Sequence, residues 1–252
     1  MNTESIGGGS SARTTVIALG GLLLVWEILG RLHVSMFLPP VTHIAAVWWK
    51  LLNDATLPRA AAGSLTSLVK GFVPAAVLGI ILGLVMGRFA IVRDVLAGPV
   101  NTMMSAPLSA LVPVLIAVFG LRDTVVAATV FMFSFFVIVV NTETGVRGTD
   151  RSLVEMARMF GAGELSLFGR VYLPAALPAL LLGLRLGAIQ AVKGMVVGEM
   201  LISLVGLGER LVYYGNTFLI THLYAVIGSV LLVAIVAAQL TQALDRALVR
   251  WK

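Results

Sequence analysis

The chain contains no cysteine, so neither a disulfide framework nor a thiolate metal site is available to it. Charge is also scarce. Only 12% of the 252 residues are Asp, Glu, Lys or Arg, against about 25% in a typical soluble domain. No glycine is followed by lysine anywhere in the sequence, which excludes a P-loop and assigns any ATP hydrolysis to another chain. His33, His43 and His222 are scattered and lack the spacing of zinc ligands. His222, which lies within an apolar run, reads as a polar helix-end residue rather than a ligand. No nucleophile elbow and no HExxH motif occurs. The formal net charge is +6, yet no basic stripe interleaved with aromatics marks a nucleic-acid surface. Catalytic chemistry and bound cofactors are therefore expected on partners.

What the chain has in excess is apolar surface. Fully 59% of its residues are hydrophobic, more than a soluble core of this size requires, and the surplus must face lipid. A helix needs about 20 apolar residues to cross the hydrocarbon core. Six runs qualify as candidates: Val16–Arg31, short and interrupted by Glu27; Ser64–Met86; Val95–Phe119, broken by Pro99, Pro107 and Pro113; Thr124–Val140; Ala175–Leu204; and Leu219–Leu244. They are continuous rather than alternating, which excludes a β-barrel. The expected fold is an all-α, polytopic membrane helical bundle. The Gly/Ser-rich residues 1–12 read as a disordered tail and residues 13–252 as one transmembrane domain. No small-residue cleavage site follows the first run, so it reads as an uncleaved span.

Six spans put both termini on one side. If that side is cytosolic, the inside loops hold Arg13, Arg88, Arg93, Arg147, Arg151, Arg158, Arg170, Arg246, Arg250 and Lys252. The outside loops then hold Arg31, Lys50, Arg59, Arg122 and Arg210. The bias favours cytosolic termini by the positive-inside rule. Two segments read as interfacial. Thr42 is placed to cap a short helix with Ile44, Val47, Trp48 and Leu51 on one face, and Trp48, Trp49 and Lys50 suit a headgroup layer; a packed loop helix is the alternative. The segment Leu244–Lys252 reads as a helix leaving the bilayer, with Trp251 at its boundary.

Charges inside spans are expensive and are candidates for function. The run Ala175–Leu204 carries Arg185, Lys193 and Glu199. Lys193 and Glu199 lie about 240° apart around a straight helix, so they do not pair along one face. Glu199 is expected to meet another span, a second subunit or the mouth near Gly206, as a gate or as a structural contact. Arg185 and Lys193 are about 12 Å apart along the axis and about 80° around it. With Gln190 they form a candidate lining for a small anion's path. The alternatives are Arg185 snorkelling to headgroups and Lys193 tying two helices together. Gly79, Gly83 and Gly87 form a double GxxxG, and Gly183 and Gly187 another. Such faces admit close helix packing, within one subunit or between two. Pro107 and Pro113 mark a kink or a pathway-lining break.

The longest polar interruption on the inside, Asn141 to Pro174, carries a pattern of its own. Leu153, Val154, Ala157 and Phe160 mark an apolar helix face, with Glu155 and Arg158 on the polar side. Gly161 interrupts, and a second short helix follows with Leu165, Leu167 and Phe168; Pro174 and Pro178 open the next span. Two amphipathic helices around a glycine make either a projecting knob or a hairpin resting on lipid.

Residues Glu155 to Pro174 read EMARMFGAGELSLFGRVYLP. This stretch resembles the EAA loop of binding-protein-dependent ABC importer permeases, E-A-A-x3-G-x9-I-x-L-P. Glu155, Ala157, Gly161, Leu173 and Pro174 stand at matching positions, while Met156 replaces an alanine and Val171 the isoleucine. Phe37-Leu38-Pro39-Pro40, Ser64-Leu65 with Gly71-Phe72, and Asn141-Thr142 with Gly145-Val146-Arg147 extend the resemblance to the nitrate/sulfonate/taurine-type permeases. So do Gly183-Leu184-Arg185, Glu199-Met200 and Gly206-Leu207-Gly208. The arginine usual near Ser67 is absent, and so is the aromatic often found near Val192 or Lys193. The resemblance implies a type I importer permease fold in a bacterial inner membrane. It implies a second permease copy, most simply a homodimer, and an external binding protein meeting residues 31–62 and 204–218. Separate ATPase subunits holding ATP and magnesium would dock on residues 150–168, with Glu155, Ala157, Phe160, Gly161, Leu173 and Pro174 in the coupling loop. A stand-alone carrier or channel is the competing class; a carrier's inverted repeats are not visible in the sequence.

Overall fold

A computed structural model describes residues 8–204 and 206–248. Among these residues all regular structure is helical. The helices are α1 (Gly8–Arg31), α2 (Val41–Asn53), α3 (Thr56–Arg88), α4 (Ala90–Ser105), α5 (Val112–Phe119) and α6 (Asp123–Arg147). They continue with α7 (Arg151–Met159), α8 (Glu164–Leu167), α9 (Leu173–Ile202), α10 (Gly206–Asn216) and α11 (Ile220–Leu248). A 3-10 turn, Leu108–Leu111, precedes α5, and a π turn, Phe168–Tyr172, joins α8 to α9.

The centre is α6, held between α3 and α9. Hydrophobic attraction does not distinguish lipid from leucine, so membrane helices associate where small residues let backbones approach. A Cβ added to Gly79, Gly83 or Gly87 would lie 3.0 Å from Ile138 Cγ2, 2.6 Å from Thr142 Cβ or 2.5 Å from Val146 Cβ. The contacts advance in step, so α3 runs parallel to α6. From the other side, Gly183 and Gly187 leave room for Asn141 and Ile138, and Gly194 for Phe133, in descending order along α6. Hence α9 is antiparallel. Both glycine faces are used within one subunit. Around them Leu68, Val126, Val130, Val192 and Met195 form one core cluster.

Parallel neighbours require the chain to cross back between them. That crossing is α4 followed by the 3-10 turn and α5, together long and apolar enough to cross a membrane, with a bend of 94° between Ala90–Ser105 and Leu108–Phe119. The break expected within Val95–Phe119 falls at Pro107, while Pro99 lies inside α4. The reason is local. Pro107 forces Ala106 into an extended conformation (ψ 150°), ending α4, and Pro113 stands in the first turn of α5, where its missing N–H is harmless. The segments Thr56–Arg88, Asp123–Arg147, Glu164–Ile202 and Ile220–Ala243 are each long and apolar enough to cross a membrane. At the first expected span, α1 is a helix of 24 residues with Leu22, Leu24, Val25 and Ile28 exposed.

Three boundaries differ from expectation. Helix α1 begins at Gly8, inside the segment read as a tail, while residues 1–7 lie outside the described residues. The fifth span does not start afresh at Pro174, because α8, the π turn and α9 form one continuous rod, Glu164–Ile202. Pro174 cannot donate a bond back to Arg170, and the wider π turn just before it absorbs that loss. Thr42 is not the cap of α2; Pro40 holds that position without a side-chain bond. The expected exit of the last helix is described to Leu248, and Trp251 lies outside the described residues.

The α3–α6 seam yields a stability prediction. Gly83→Val inserts bulk where Thr142 sits and is expected to cost about 1–3 kcal/mol. Gly98, with nothing within 4 Å of an added Cβ, is the control, and Gly98→Ala should be neutral or stabilising by up to about 1 kcal/mol. Thermal unfolding in detergent compares them; equal midpoints would remove the seam from the stability argument.

Candidate functional site

The two ends of the bundle carry different chemistry. At the end where α3 finishes, the chain between α6 and α9 forms a knob. Asp150 starts α7 by accepting a bond from the Ser152 N–H at 2.9 Å. Gly161 ends it with φ +80°, a left-handed conformation that glycine adopts without strain. The knob's outer surface is apolar. Met159, Phe160 and Leu165 are 88%, 86% and 91% exposed, with Leu153 and Met156 beside them. Val154 and Ala157, expected on the same face as Phe160, are half-buried instead, and Leu167 is buried. The free face thus follows Leu153, Met156 and Met159–Phe160, a three-residue period that was visible in the sequence. Glu155, Leu173 and Pro174 are exposed.

Glu164 fastens the knob. Its carboxylate accepts from Arg88 Nη2, at the end of α3, and from Arg158 Nη2 at 3.3 Å. The Arg88 guanidinium also lies 5.5 Å from the centre of the Tyr172 ring. Sequence reading missed this cluster because Arg88 and Glu164 are far apart along the chain and Glu164 stands at an unspecified position of the EAA-like pattern.

At the opposite end, two acids borne by long helices hold the first turns of two short ones. Glu27 of α1 accepts from the Thr42 N–H (3.0 Å), the Thr42 hydroxyl (2.8 Å) and Arg31 Nε (2.6 Å). It supplies α2 with the acceptor that Pro40 lacks. Glu199 of α9 is 0% exposed. Its Oε2 accepts from the Ser64 hydroxyl (2.9 Å) and the Gly208 N–H (2.8 Å), and Ser64 Oγ accepts from the Leu207 N–H (2.8 Å). The first turn of a helix has N–H groups without intrahelical acceptors and carries positive dipole charge, so a carboxylate suits it. Gly206, at φ +91°, and Gly208 leave the space that this carboxylate and its stem occupy. Helices α2, α10 and the start of α11 close over this end through Leu51, Leu57, Leu207, Tyr214 and Val226. Trp48 is half-buried and donates to Ser229 Oγ at 2.9 Å, so the face Ile44–Val47–Trp48–Leu51 packs on protein, while Trp49 is exposed. His222 stacks on Tyr214, with ring centres 5.1 Å apart.

Along α9, Arg185 and Lys193 are exposed, and neither forms an ion pair among the described residues. Gln190 is half-buried, and its Oε1 has no hydrogen-bond partner among the described residues. Glu199 faces away from them into the α3–α10 contact. The structure therefore separates the four span residues into an exposed strip with Arg185 and Lys193 and a buried clamp at Glu199. No group of three or more metal-ligating side chains occurs among the described residues.

A family model described as "Binding-protein-dependent transport system inner membrane component" matches residues 75–250. A probable ABC transporter permease protein of Brucella abortus is 28% identical over 252 residues, covering 100% of this chain and 99% of its own. The taurine transport system permease protein of Escherichia coli is 29% identical over 246 residues, covering 92% of this chain and 87% of its own. Among solved structures, the methionine ABC transporter in inward-facing conformations superposes with a TM-score of 0.51 at 21% identity. It covers 72% of this chain and 91% of that one, a likeness of fold.

The clamp at Glu199 yields a second prediction. Glu199→Ala leaves the Gly208 N–H and the Ser64 hydroxyl without their acceptor, at a cost of about 1–3 kcal/mol. Amide exchange at residues 207–209 should accelerate, and Glu199→Gln, which keeps a carbonyl acceptor, should show less of the effect. Unchanged exchange in Glu199→Ala would show that α10 is held by its apolar contacts alone.

Proposed function

The chain belongs to the family of binding-protein-dependent transport inner-membrane components, and from that membership we propose that it forms the pathway of an ATP-driven importer for a small anionic solute. The observation that carries the reading is the knob. An apolar surface of Leu153, Met156, Met159, Phe160 and Leu165 projects at the end of a membrane bundle, on the loop that resembles the EAA motif. Exposed apolar patches with a polar rim mark docking surfaces, and the fitting occupant is a separate ATPase subunit holding ATP and magnesium. Glu155, Ala157, Phe160, Gly161, Leu173 and Pro174 belong to that coupling loop.

The knob end is then cytosolic, in keeping with the cation bias of the loops. The opposite end, with α2 and α10, faces outward toward the binding protein. A second copy of this chain completes the pathway, most simply as a homodimer. The exposed strip of α9 supports the anionic cargo. Lys193 lies near the middle of the span without an acid partner among the described residues, and an intramembrane cation without a partner suits a water-filled path and a negatively charged solute. Arg185 and Gln190 extend the strip. The taurine-named relative fits a solute with an anionic head. Glu199 takes no part in the pathway and serves as a structural clamp.

Two outcomes test the reading. In proteoliposomes, uptake should require ATP, the ATPase and the binding protein together; uptake without them would favour a carrier or channel. Phe160→Asp places a charge on the docking face, and Gly161→Pro forces φ near −65° where +80° is needed. Both should abolish ATP-driven uptake, and normal uptake in both would remove the knob from the interface. For the cargo, Lys193→Met should lower uptake of an anionic solute by about tenfold or more, the equivalent of roughly 1.4 kcal/mol or more. Unchanged anion uptake, or a cationic cargo, would defeat the anion path.

A further inference from the structure

The two polar clusters at opposite ends of the bundle share one helix. Arg88, the last residue of α3, reaches Glu164 of the knob. Ser64, near the start of the same helix, is bonded both to Glu199 of α9 and to the Leu207 N–H of α10. The two residues are separated by about 36 Å along a helix rising 1.5 Å per residue, enough to cross the hydrocarbon core. The knob helices α7 and α8 pack chiefly on each other and on the π turn. Glu164 is thus their polar tie to a span other than the one they continue into. Single exposed ion pairs contribute little, but Glu164 joins two arginines, and Arg88 also lies against Tyr172.

Between its ends α3 is not free to flex. Gly71, Gly83 and Gly87 seat it on α6 at distances that leave no room for a Cβ, Gly79 is tightly packed there too, and Pro74 lies within the helix without interrupting it. A closely packed interface shifts as a unit rather than deforming continuously. At the far end, Ser64 grips the first turn of α10 by a direct bond, and Glu199 grips the next N–H.

We infer that α3 is a transmission rod, in which Glu164 and Ser64 act as positioning residues that pass displacement of the knob to the first turn of α10 at the outer mouth. Nothing in this requires either residue to touch solute or nucleotide. The inference rests on the importer reading above and adds to it a specific route between the ATPase end and the outer end. Residues at the two ends, about 36 Å apart, should then behave as parts of one device although they share no contact, whereas independent sites at such distance show additive effects.

The test is a double-mutant cycle on the complete importer, with ATPase and binding protein, in proteoliposomes. Three quantities are read: ATPase co-purified per permease, ATPase stimulation by the loaded binding protein, and solute taken up per ATP. Arg88→Gln, which removes the α3 partner of Glu164 without altering the docking loop, and Ser64→Ala should each lower uptake per ATP by about threefold to tenfold, a range typical of coupling residues, with ATPase co-purification unchanged. Arg88→Lys, which keeps the cation facing Glu164, should restore most of the loss. The double variant should be no worse than the worse single one. If Ser64→Ala does not assemble, Ser64→Cys, which keeps the size but weakens the bond to the Leu207 N–H, takes its place in the cycle. Single variants with wild-type uptake per ATP would overturn the rod, as would losses that multiply in the double variant. A wild-type complex that transports without ATP would overturn the importer reading itself, so the two failures are distinguishable.

Discussion

Ile138 sits between two glycines. Gly79 of α3 faces it from one side and Gly187 of α9 from the other, and its side chain is fully buried. That arrangement repeats along α6 and sets the direction of every other element. Because α3 and α6 are parallel, the chain must cross between them, and the broken pair α4–α5 does so. Because α9 is antiparallel to α6, the loop joining them emerges at the same end as the terminus of α3. The knob and Arg88 are therefore neighbours because of glycines more than two helical turns away. In a solvent as apolar as the side chains, close backbone approach rather than hydrophobicity selects the partner helix.

The polar groups of the spans show how such a bundle handles charge. Glu27 and Glu199 look alike in sequence, each a single acid in an apolar run. Both prove to be acceptors for the first turn of a short helix packed across the end of the bundle. A helix N-terminus carries unsatisfied N–H groups and partial positive charge, which favour a carboxylate placed there; Glu27 is paired with Arg31 as well, whereas Oε1 of Glu199 has no hydrogen-bond partner among the described residues. Lys193 and Arg185 are different: they remain exposed on one helix, without acid partners among the described residues. Burial and partners, rather than the presence of charge, separate the bonded Glu199 from the exposed Lys193 and Arg185.

The knob follows the same logic in reverse. Its apolar side chains point away from the bundle, and its attachment is polar, through Glu164. A surface that leaves Phe160 and Leu165 in the open is unfavourable alone and becomes favourable when covered. Ordered attachment combined with an open apolar face is what a docking element requires. Gly161 makes the geometry possible by turning the chain where a side chain would be strained.

Much of this was legible without coordinates. Long apolar runs announced helices in a membrane, because crossing the hydrocarbon demands about 20 apolar residues whatever the tertiary structure. The glycine spacing announced close packing, and the Glu155–Pro174 pattern announced two short helices turning at Gly161. What the sequence left open depended on contacts between residues distant in the chain. The prolines of Val95–Phe119 announced a break, but the sequence did not tell which of them turns the axis or that the turn is 94°. Whether the glycine faces pack within one subunit was decided only when α6 was found between them. Thr42 resembled a cap by local pattern, yet its acceptor came from Glu27, fifteen residues earlier. Which groups Glu199 meets was open until Ser64 and the α10 first turn were brought to it. A hydrogen bond forms between groups that the fold makes neighbours, and one-dimensional spacing carries that information only within a helix turn or two.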